Sequence, residues 1–187
     1  MNTRCDDADA FLDHLNDLFA SREGKLEVDG HLSNAAHMLQ TAAAAEDAGA
    51  EACLVAASLL HDVGHWLRGE TADPEAVDYR HESVGADWLN AHFDVDVTRP
   101  IALHVAAKRY LCAREPDYFA NLSPGSVASL ALQGGPMSDV EVEAFEVDPA
   151  HVHAVALRRW DEYGKISGLR VPGFEHYRRL LRDLMRA

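Results

Sequence analysis

Apolar positions recur at helical spacing along nearly the whole chain. Phe11, Leu12, Leu15, Leu18 and Phe19 form one stripe behind the acidic pair Asp6-Asp7, whose charge suits a helix N-terminus. Residues 21–29 (SREGKLEVD) break the pattern and read as a mobile polar loop. A second helix is predicted from Leu32 to Asp47, ending at Gly49. A third, from Glu51 to Asp62, is so rich in Ala, Val and Leu that it is expected to be buried on most sides. Residues 67–77 (LRGETADPEAV) are loop-like. Helical spacing returns over Tyr79–Phe93 and Arg99–Leu111, the latter with Pro100 placed near its first turn, where proline is tolerated. Ser126–Leu132 leads into the turn Gln133–Met137, and Ser138 followed by Glu141 is a capping-box pattern. Asp148-Pro149 opens a further helix toward Gly164, and Pro172-Gly173 precedes the last. No segment carries a convincing strand pattern, so the predicted fold is all-α.

The chain has 187 residues, enough for one domain spanning 1–187 that buries about 70% of its unfolded surface without a metal or disulfide staple. No apolar run approaches the roughly 20 residues of a membrane-spanning helix, and the acidic first residues do not resemble a signal peptide. No membrane partner is therefore expected. Three well-separated cysteines, Cys5, Cys53 and Cys112, suggest reduced thiols in a cytoplasmic protein. Charge narrows the partners. With 17 Lys+Arg against 31 Asp+Glu, the net charge is −14, which disfavours nucleic acid. An anionic small molecule requires a few placed cations or a metal.

The chain carries 11 histidines, and their neighbours matter more than their number. His61-Asp62 closes the most apolar helix, in HDVGH. An imidazole supplies a neutral nitrogen ligand, and an adjacent carboxylate can bridge two cations. His37 lies in AAHMLQ on the preceding helix, His81 in RHESVG, His104 among apolar residues in ALHVAAKRY, and Asp161 in RRWDEYGK. Singly, each is more simply a core histidine or a solvated aspartate. Together, as neutral buried groups, they would each need a hydrogen-bond partner. Four histidines and two aspartates exceed the four ligands that close a structural zinc site. They suit two metals sharing Asp62.

The order H…HD…H…H…D resembles the HD-domain superfamily, an all-helical bundle that holds one or two metals and mostly hydrolyses phosphate esters. LHVAAKRYL (103–111), SLALQGGPM (129–137) and LRRWDEYGK (157–165) narrow the resemblance to small HD-domain mixed-valent di-iron oxygenases that cleave the carbon–phosphorus bond of 1-hydroxy-2-aminoethylphosphonates. The likeness covers about residues 32–185. It implies two iron ions, Fe(II)/Fe(III), with O2 as co-substrate and a small phosphonate as the molecule bound. It places His37, His61, Asp62 and Asp161 on one iron, and Asp62, His81 and His104 on the other. It also implies Lys108, Arg158, Ser126 and Ser129 as phosphonate contacts, with His65 as a further pocket histidine. Asp62, His65 and Lys108 would be the groups at the reacting atoms. Lys108 follows His104 by one helical turn and Arg158 precedes Asp161 by three residues, so each shares a face with a ligand. Trp160 reads as packing.

One stretch departs from the family. The relatives carry a Tyr and a Glu upstream of the first ligand histidine, forming a lid over the substrate amine. The corresponding positions here are Glu27 and Gly30. Glu27 and Asp29 still place carboxylates on this lid loop (21–30), and Gly24 and Gly30 are candidate hinges. The change raises the trimethylammonium compound, 1-hydroxy-2-(trimethylammonio)ethylphosphonate, as an alternative to the primary amine. A quaternary ammonium favours aromatic faces over direct hydrogen bonds, with Tyr79, Tyr110, Tyr118 and Tyr163 as candidates. The expected products are phosphate and glycine betaine or glycine. Two alternatives stand beside this reading: an HD phosphohydrolase with the same ligands, and a non-catalytic binding protein.

Overall fold

The computed structural model describes residues 3–21, 24–25, 27–28, 32–67 and 80–186. Among these the chain is a helical bundle: α1 Thr3–Ala20, α2 Asn34–Asp47, α3 Ala52–Leu60, α4 His81–Leu89, α5 Val95–Arg114, α6 Pro116–Ala120, α7 Pro124–Leu132, α8 Asp139–Val147, α9 His151–Tyr163 and α10 Phe174–Leu184. A 3-10 turn, Val63–Leu67, follows α3. No described helix is long and apolar enough to cross a membrane.

The helix ends follow local chemistry. Ser33 caps α2 by accepting from the Ala36 amide, and Ser123 caps α7 by accepting from that of Ser126. Ser138 and Glu141 form the full reciprocal box at the start of α8. Asp148 Oδ1 accepts the Ala150 amide ahead of α9, and Gly164 follows its last turn.

Two details differ from the sequence reading. The chain does contain strand: β1 (Glu27–Val28) pairs antiparallel with β2 (Leu32–Ser33). Two residues per strand are too few to show alternation, so periodicity could not reveal them. Pro100 lies in the second turn of α5, because the helix starts at Val95 behind Asp94. Its missing N–H removes one intrahelical bond near a terminus, and the buried ring contributes apolar contact instead. Asp29, Gly30 and Tyr79 lie outside the described residues, as do most of the predicted 67–77 loop and the side chain of Glu27.

α2, α3, α4, α5 and α9 pack on one another, with α10 laid over α3 and α1 against α10. Leu12, Leu15, Met38, Leu59, Leu60, Leu89, Phe93, Ile101, Leu157 and Leu181 are buried in one apolar cluster joining these helices. Burying a side chain of this size stabilises by about 1.5–3 kcal/mol, so the inward faces of α2, α3, α5 and α9 are held rigidly. The polar site is built on those faces.

Candidate metal centre

Every sequence-predicted ligand is buried: His37, His61, Asp62, His81, His104 and Asp161. α2 supplies His37, the end of α3 supplies His61 and Asp62, and α4, α5 and α9 supply the rest. They form two groups. Donor atoms of His37, His61 and Asp161 lie within 4.8 Å of one another, and so do those of Asp62, His81 and His104. Asp62 stands between them. Its Oδ1 is 3.3 Å from His81 Nε2, 3.7 Å from His104 Nε2 and 3.6 Å from His61 Nε2, while Oδ2 is 3.9 Å from His37 Nε2.

The hydrogen bonds decide which nitrogen faces inward. His37 Nδ1 donates to the Gly164 carbonyl at 2.8 Å, His61 Nδ1 to that of Ser58 at 2.9 Å, and His104 Nδ1 to that of Ile101 at 2.8 Å. A carbonyl only accepts, so each Nδ1 carries the proton and each Nε2 presents a lone pair to the centre. Burial lowers the pKa of His37 and His104 and takes that of His61 to about 4, which keeps all three imidazoles neutral. For Asp62, burial pushes the pKa up, but His61, His65 and His81 outweigh it and hold the carboxyl well below the usual range. Neutral imidazole and ionised carboxylate are the forms that bind metal.

The donor set fits a metal on its own evidence. His61 Nε2 is fully buried with no hydrogen-bond partner, an orphan that costs about 1–3 kcal/mol unless something accepts its lone pair. His81 Nε2 and His104 Nε2 approach to 3.1 Å, and a shared cation stabilises two lone pairs so placed. The shortest donor separations are 3.1 Å, 3.2 Å (His37–Asp161) and 3.3 Å. Neighbouring ligands around an ion with bonds of about 2.1 Å are about 3 Å apart.

Beside this centre lies a cationic recess on α5, α7 and α9. Lys108 is buried, and its Nζ donates to Ser129 Oγ at 2.7 Å. Arg158, also buried, is engaged at all three nitrogens: Nε to Tyr118 Oη at 2.9 Å, Nη1 to Asp161, and Nη2 to Ser126 Oγ at 3.1 Å and Glu162 Oε2 at 2.5 Å. The guanidinium therefore holds the outer oxygen of Asp161 as well as facing the recess. Among the described tyrosines, Tyr118 reaches this recess; Tyr163 is largely exposed and Tyr110 pairs with Glu146 on the surface. His65, on the 3-10 turn, stacks on His81 with ring centroids 4.1 Å apart and places Nε2 3.9 Å from Asp62 Oδ1. It is half-exposed.

Four contributors escaped the sequence reading. Asn34 is buried and directs Nδ2 to Asp62 Oδ2 at 3.3 Å; its position one turn before His37, on the same face, was the available signal. Glu162 and Lys165 join the recess through Ser126. The Gly164 carbonyl that orients His37 has no local signature at all, because 127 residues separate the two.

Two named relatives each match about four-fifths of this chain. A hydroxymethylphosphonate dioxygenase of Gimesia maris is 45% identical over 157 residues, 82% of this chain and 78% of that protein. The chain belongs to the phosphonate dioxygenase family. A [1-hydroxy-2-(trimethylamino)ethyl]phosphonate dioxygenase (glycine-betaine-forming) of Leisingera caerulea is 41% identical over 83% of this chain and 81% of its own. An uncharacterised protein of Acanthamoeba polyphaga mimivirus is 34% identical over 149 residues. No protein-family model matches. Membership makes the chain an oxygenase, and its all-α HD-type bundle carries His/Asp groups that could hold metal.

Proposed function

We propose that the chain uses O2 to cleave the carbon–phosphorus bond of a 1-hydroxyphosphonate, releasing phosphate, with two irons held by His37, His61, Asp62, His81, His104 and Asp161. The observation that carries this reading is the division of the donors into His37–His61–Asp161 and Asp62–His81–His104. Each is a two-histidine, one-carboxylate set, the arrangement that leaves open positions on non-haem iron oxygenases. A mixed-valent Fe(II)/Fe(III) pair is part of the same proposal.

Iron held by these residues would supply the redox chemistry, with O2 as the oxidant and the substrate's hydroxyl and phosphonate oxygens as further donors. The chain's residues do the rest. Lys108, Arg158, Ser126 and Ser129 surround the phosphonate with ammonium, guanidinium and hydroxyl donors. Asp62 spans the two groups of donors, and Asn34 restrains one of its oxygens. His65, half-exposed beside Asp62, faces the C1 substituents. The balance is simple for the smallest substrate: hydroxymethylphosphonate and one O2 give formate and phosphate, with C1 oxidised and O2 reduced by four electrons.

The substituent on C1 separates three substrates. The departure at Glu27 and Gly30 favours the trimethylammonio compound over 2-amino-1-hydroxyethylphosphonate, and the Gimesia maris relative adds hydroxymethylphosphonate, which has no amine. Iron-loaded protein supplied with each compound, with and without O2, is expected to release phosphate only aerobically. The fastest substrate then identifies the C1 substituent. Anaerobic cleavage of a phosphate ester, with no release from any phosphonate, would make the protein a hydrolase.

A pH prediction follows from Lys108. Burial, then Arg158 and Lys165, push its pKa from 10.5 down to about 7. The folded value is depressed, so folding is disfavoured below pH 7 and the penalty is relieved as pH rises from about 7 toward 10.5. Substrate binding has the opposite sense, because the phosphonate requires the ammonium. KM is expected to be flat below about pH 7 and to rise above it by up to about ten-fold per unit. In Lys108→Met the KM is higher throughout and this component of its rise is gone, which a KM profile of both proteins checks.

A further inference from the structure

One joint between α2 and the end of α9 reaches a metal donor from outside the centre. His37, Gln40 and Thr41 are spaced i, i+3 and i+4 along α2, share one face and are all buried. Each meets the segment 164–166 that follows α9. The Gln40 amide closes a pair with a single residue there: Nε2 donates to the Ile166 carbonyl at 2.8 Å, and Oε1 accepts the Ile166 N–H at 2.9 Å. Two such bonds reproduce the exchange made by one residue pair of an antiparallel ladder. The Ile166 side chain is 54% exposed, so at this residue backbone pairing and not apolar burial holds the segment.

Two residues earlier, the Gly164 carbonyl accepts from His37 Nδ1 at 2.8 Å. Gly164 lies so close to α2 that a Cβ there would sit 2.5 Å from Thr41 Oγ1 and 3.0 Å from the Thr41 amide nitrogen. The carbonyl is therefore placed by a missing side chain on one side and by Gln40 on the other. His37 depends on that placement more than His61 and His104 do. Those two donate Nδ1 to carbonyls three residues earlier in their own helical runs, so helix formation alone orients them. The acceptor for His37 comes from another element, and on the opposite edge of its ring Asp161 Oδ1 stands 3.2 Å from Nε2. A carboxylate only accepts, so Asp161 favours the tautomer with the proton on Nε2, in which His37 has no lone pair for an ion. The Gly164 carbonyl opposes it.

We propose that Gln40 is a positioning residue for the donor group His37–His61–Asp161: by clamping Ile166 it keeps the Gly164 carbonyl on His37 Nδ1 and so keeps His37 Nε2 available to an ion. This rests on the reading that His37 binds metal. Both polar atoms of Gln40 are committed to Ile166, so it acts through the segment and not on the ion itself. The group Asp62–His81–His104 draws no donor from α2 or α9, so the effect is confined to one of the two ions.

The test titrates iron into the full-length chain. Gln40→Met keeps the length of the side chain and removes both bonds; it is expected to weaken one iron about ten-fold, the low end of the loss typical when a ligand's orienting partner is removed, and to leave the other at parent affinity. Gln40→Glu, whose carboxyl group still accepts the Ile166 N–H, should recover part of that affinity. Gly164→Ala disturbs the same carbonyl from the other side, so it should weaken the same iron, and the double variant should fall short of the summed effects. Nitrogen-15 shifts of His37 before iron is added read the tautomer directly: Nδ1–H in the parent, a mixture in Gln40→Met. Leu181→Ala, a core truncation on α10, is the control for lost stability, and His37→Ala tests the underlying reading. If His37→Ala weakens an iron and Gln40→Met does not, the Gln40 assignment is overturned while the centre stands. If His37→Ala keeps both irons at parent affinity, the metal reading of His37 falls and the proposal with it. If Gln40→Met loses iron only as Leu181→Ala does, or loses it with the His37 tautomer unchanged, Gln40 is merely structural and the proposal is overturned.

Discussion

Asp62→Ala is expected to emerge folded but with neither iron bound and without measurable phosphate release. Its two oxygens approach histidines of both donor groups, at 3.3 and 3.7 Å on one side and 3.6 and 3.9 Å on the other. On the proposed assignment, deleting the carboxylate removes a ligand from each ion and the anion that offsets their charge. Loss of an outer-sphere partner alone typically costs 10–100-fold in metal affinity or activity, so losing a shared ligand should exceed about 100-fold. The fold itself should persist, because the apolar faces of α2, α3, α5 and α9 remain packed and His61 and His104 stay neutral through burial. Iron analysis alongside circular dichroism checks both halves. A variant retaining two irons would remove Asp62 from its bridging position.

The second large effect concerns a residue with no side chain. Gly64 lies in the 3-10 turn against the first turn of α4, and a Cβ there would collide with the His81 carbonyl oxygen and sit 2.9 Å from the Gly85 amide nitrogen. Neither neighbour is a flexible side chain, so Gly64→Ala must drive the turn and α4 apart. Overpacking of this kind costs typically 1–3 kcal/mol and sometimes more. With backbone meeting backbone, about 3 kcal/mol is expected, a fall in Tm of about 6–12 °C for a chain of this size. The functional effect should be selective. His81 opens α4 while His37 and Asp161 belong to α2 and α9, so iron held by Asp62, His81 and His104 should be lost first. Differential scanning fluorimetry and metal stoichiometry test this: unchanged Tm with two irons bound would contradict the close approach.

Gly64 also illustrates where the sequence stops being informative. HDVGH indicated that His61, Asp62 and His65 would lie together, as they do, because residues three and four apart at a helix end share a face. Nothing in it distinguished Gly64 as a contact point, since the atom it meets is a carbonyl on an element beyond the loop-like 67–77 stretch. The helix predicted over Tyr79–Phe93 is present, but its start at His81 was not legible. It follows Arg80 at φ 57°, a left-handed conformation that arginine does not announce. The two-residue strands fell below any periodic signal, and Pro100 was misplaced by a turn because the helix begins earlier, behind Asp94.

The tautomers divide along the same line. His61 and His104 donate to carbonyls three residues earlier, a consequence of helix geometry that the local sequence already contains. His37 donates to Gly164, 127 residues away, and only the packing of α2 on α9 creates that bond. The recess repeats the lesson. Lys108 and Arg158 were recognisable from their spacing to His104 and Asp161, whereas Glu162 and Lys165 acquired a role only when α7 brought Ser126 against the end of α9. By itself, then, the sequence determined the helices, the six candidate donors and the family, because periodic burial and ligand type are properties of single segments. The tertiary structure decided how the donors divide into two groups, which nitrogens face them, and how many cations surround the recess. Those depend on distances between segments far apart in the chain, which no local pattern encodes.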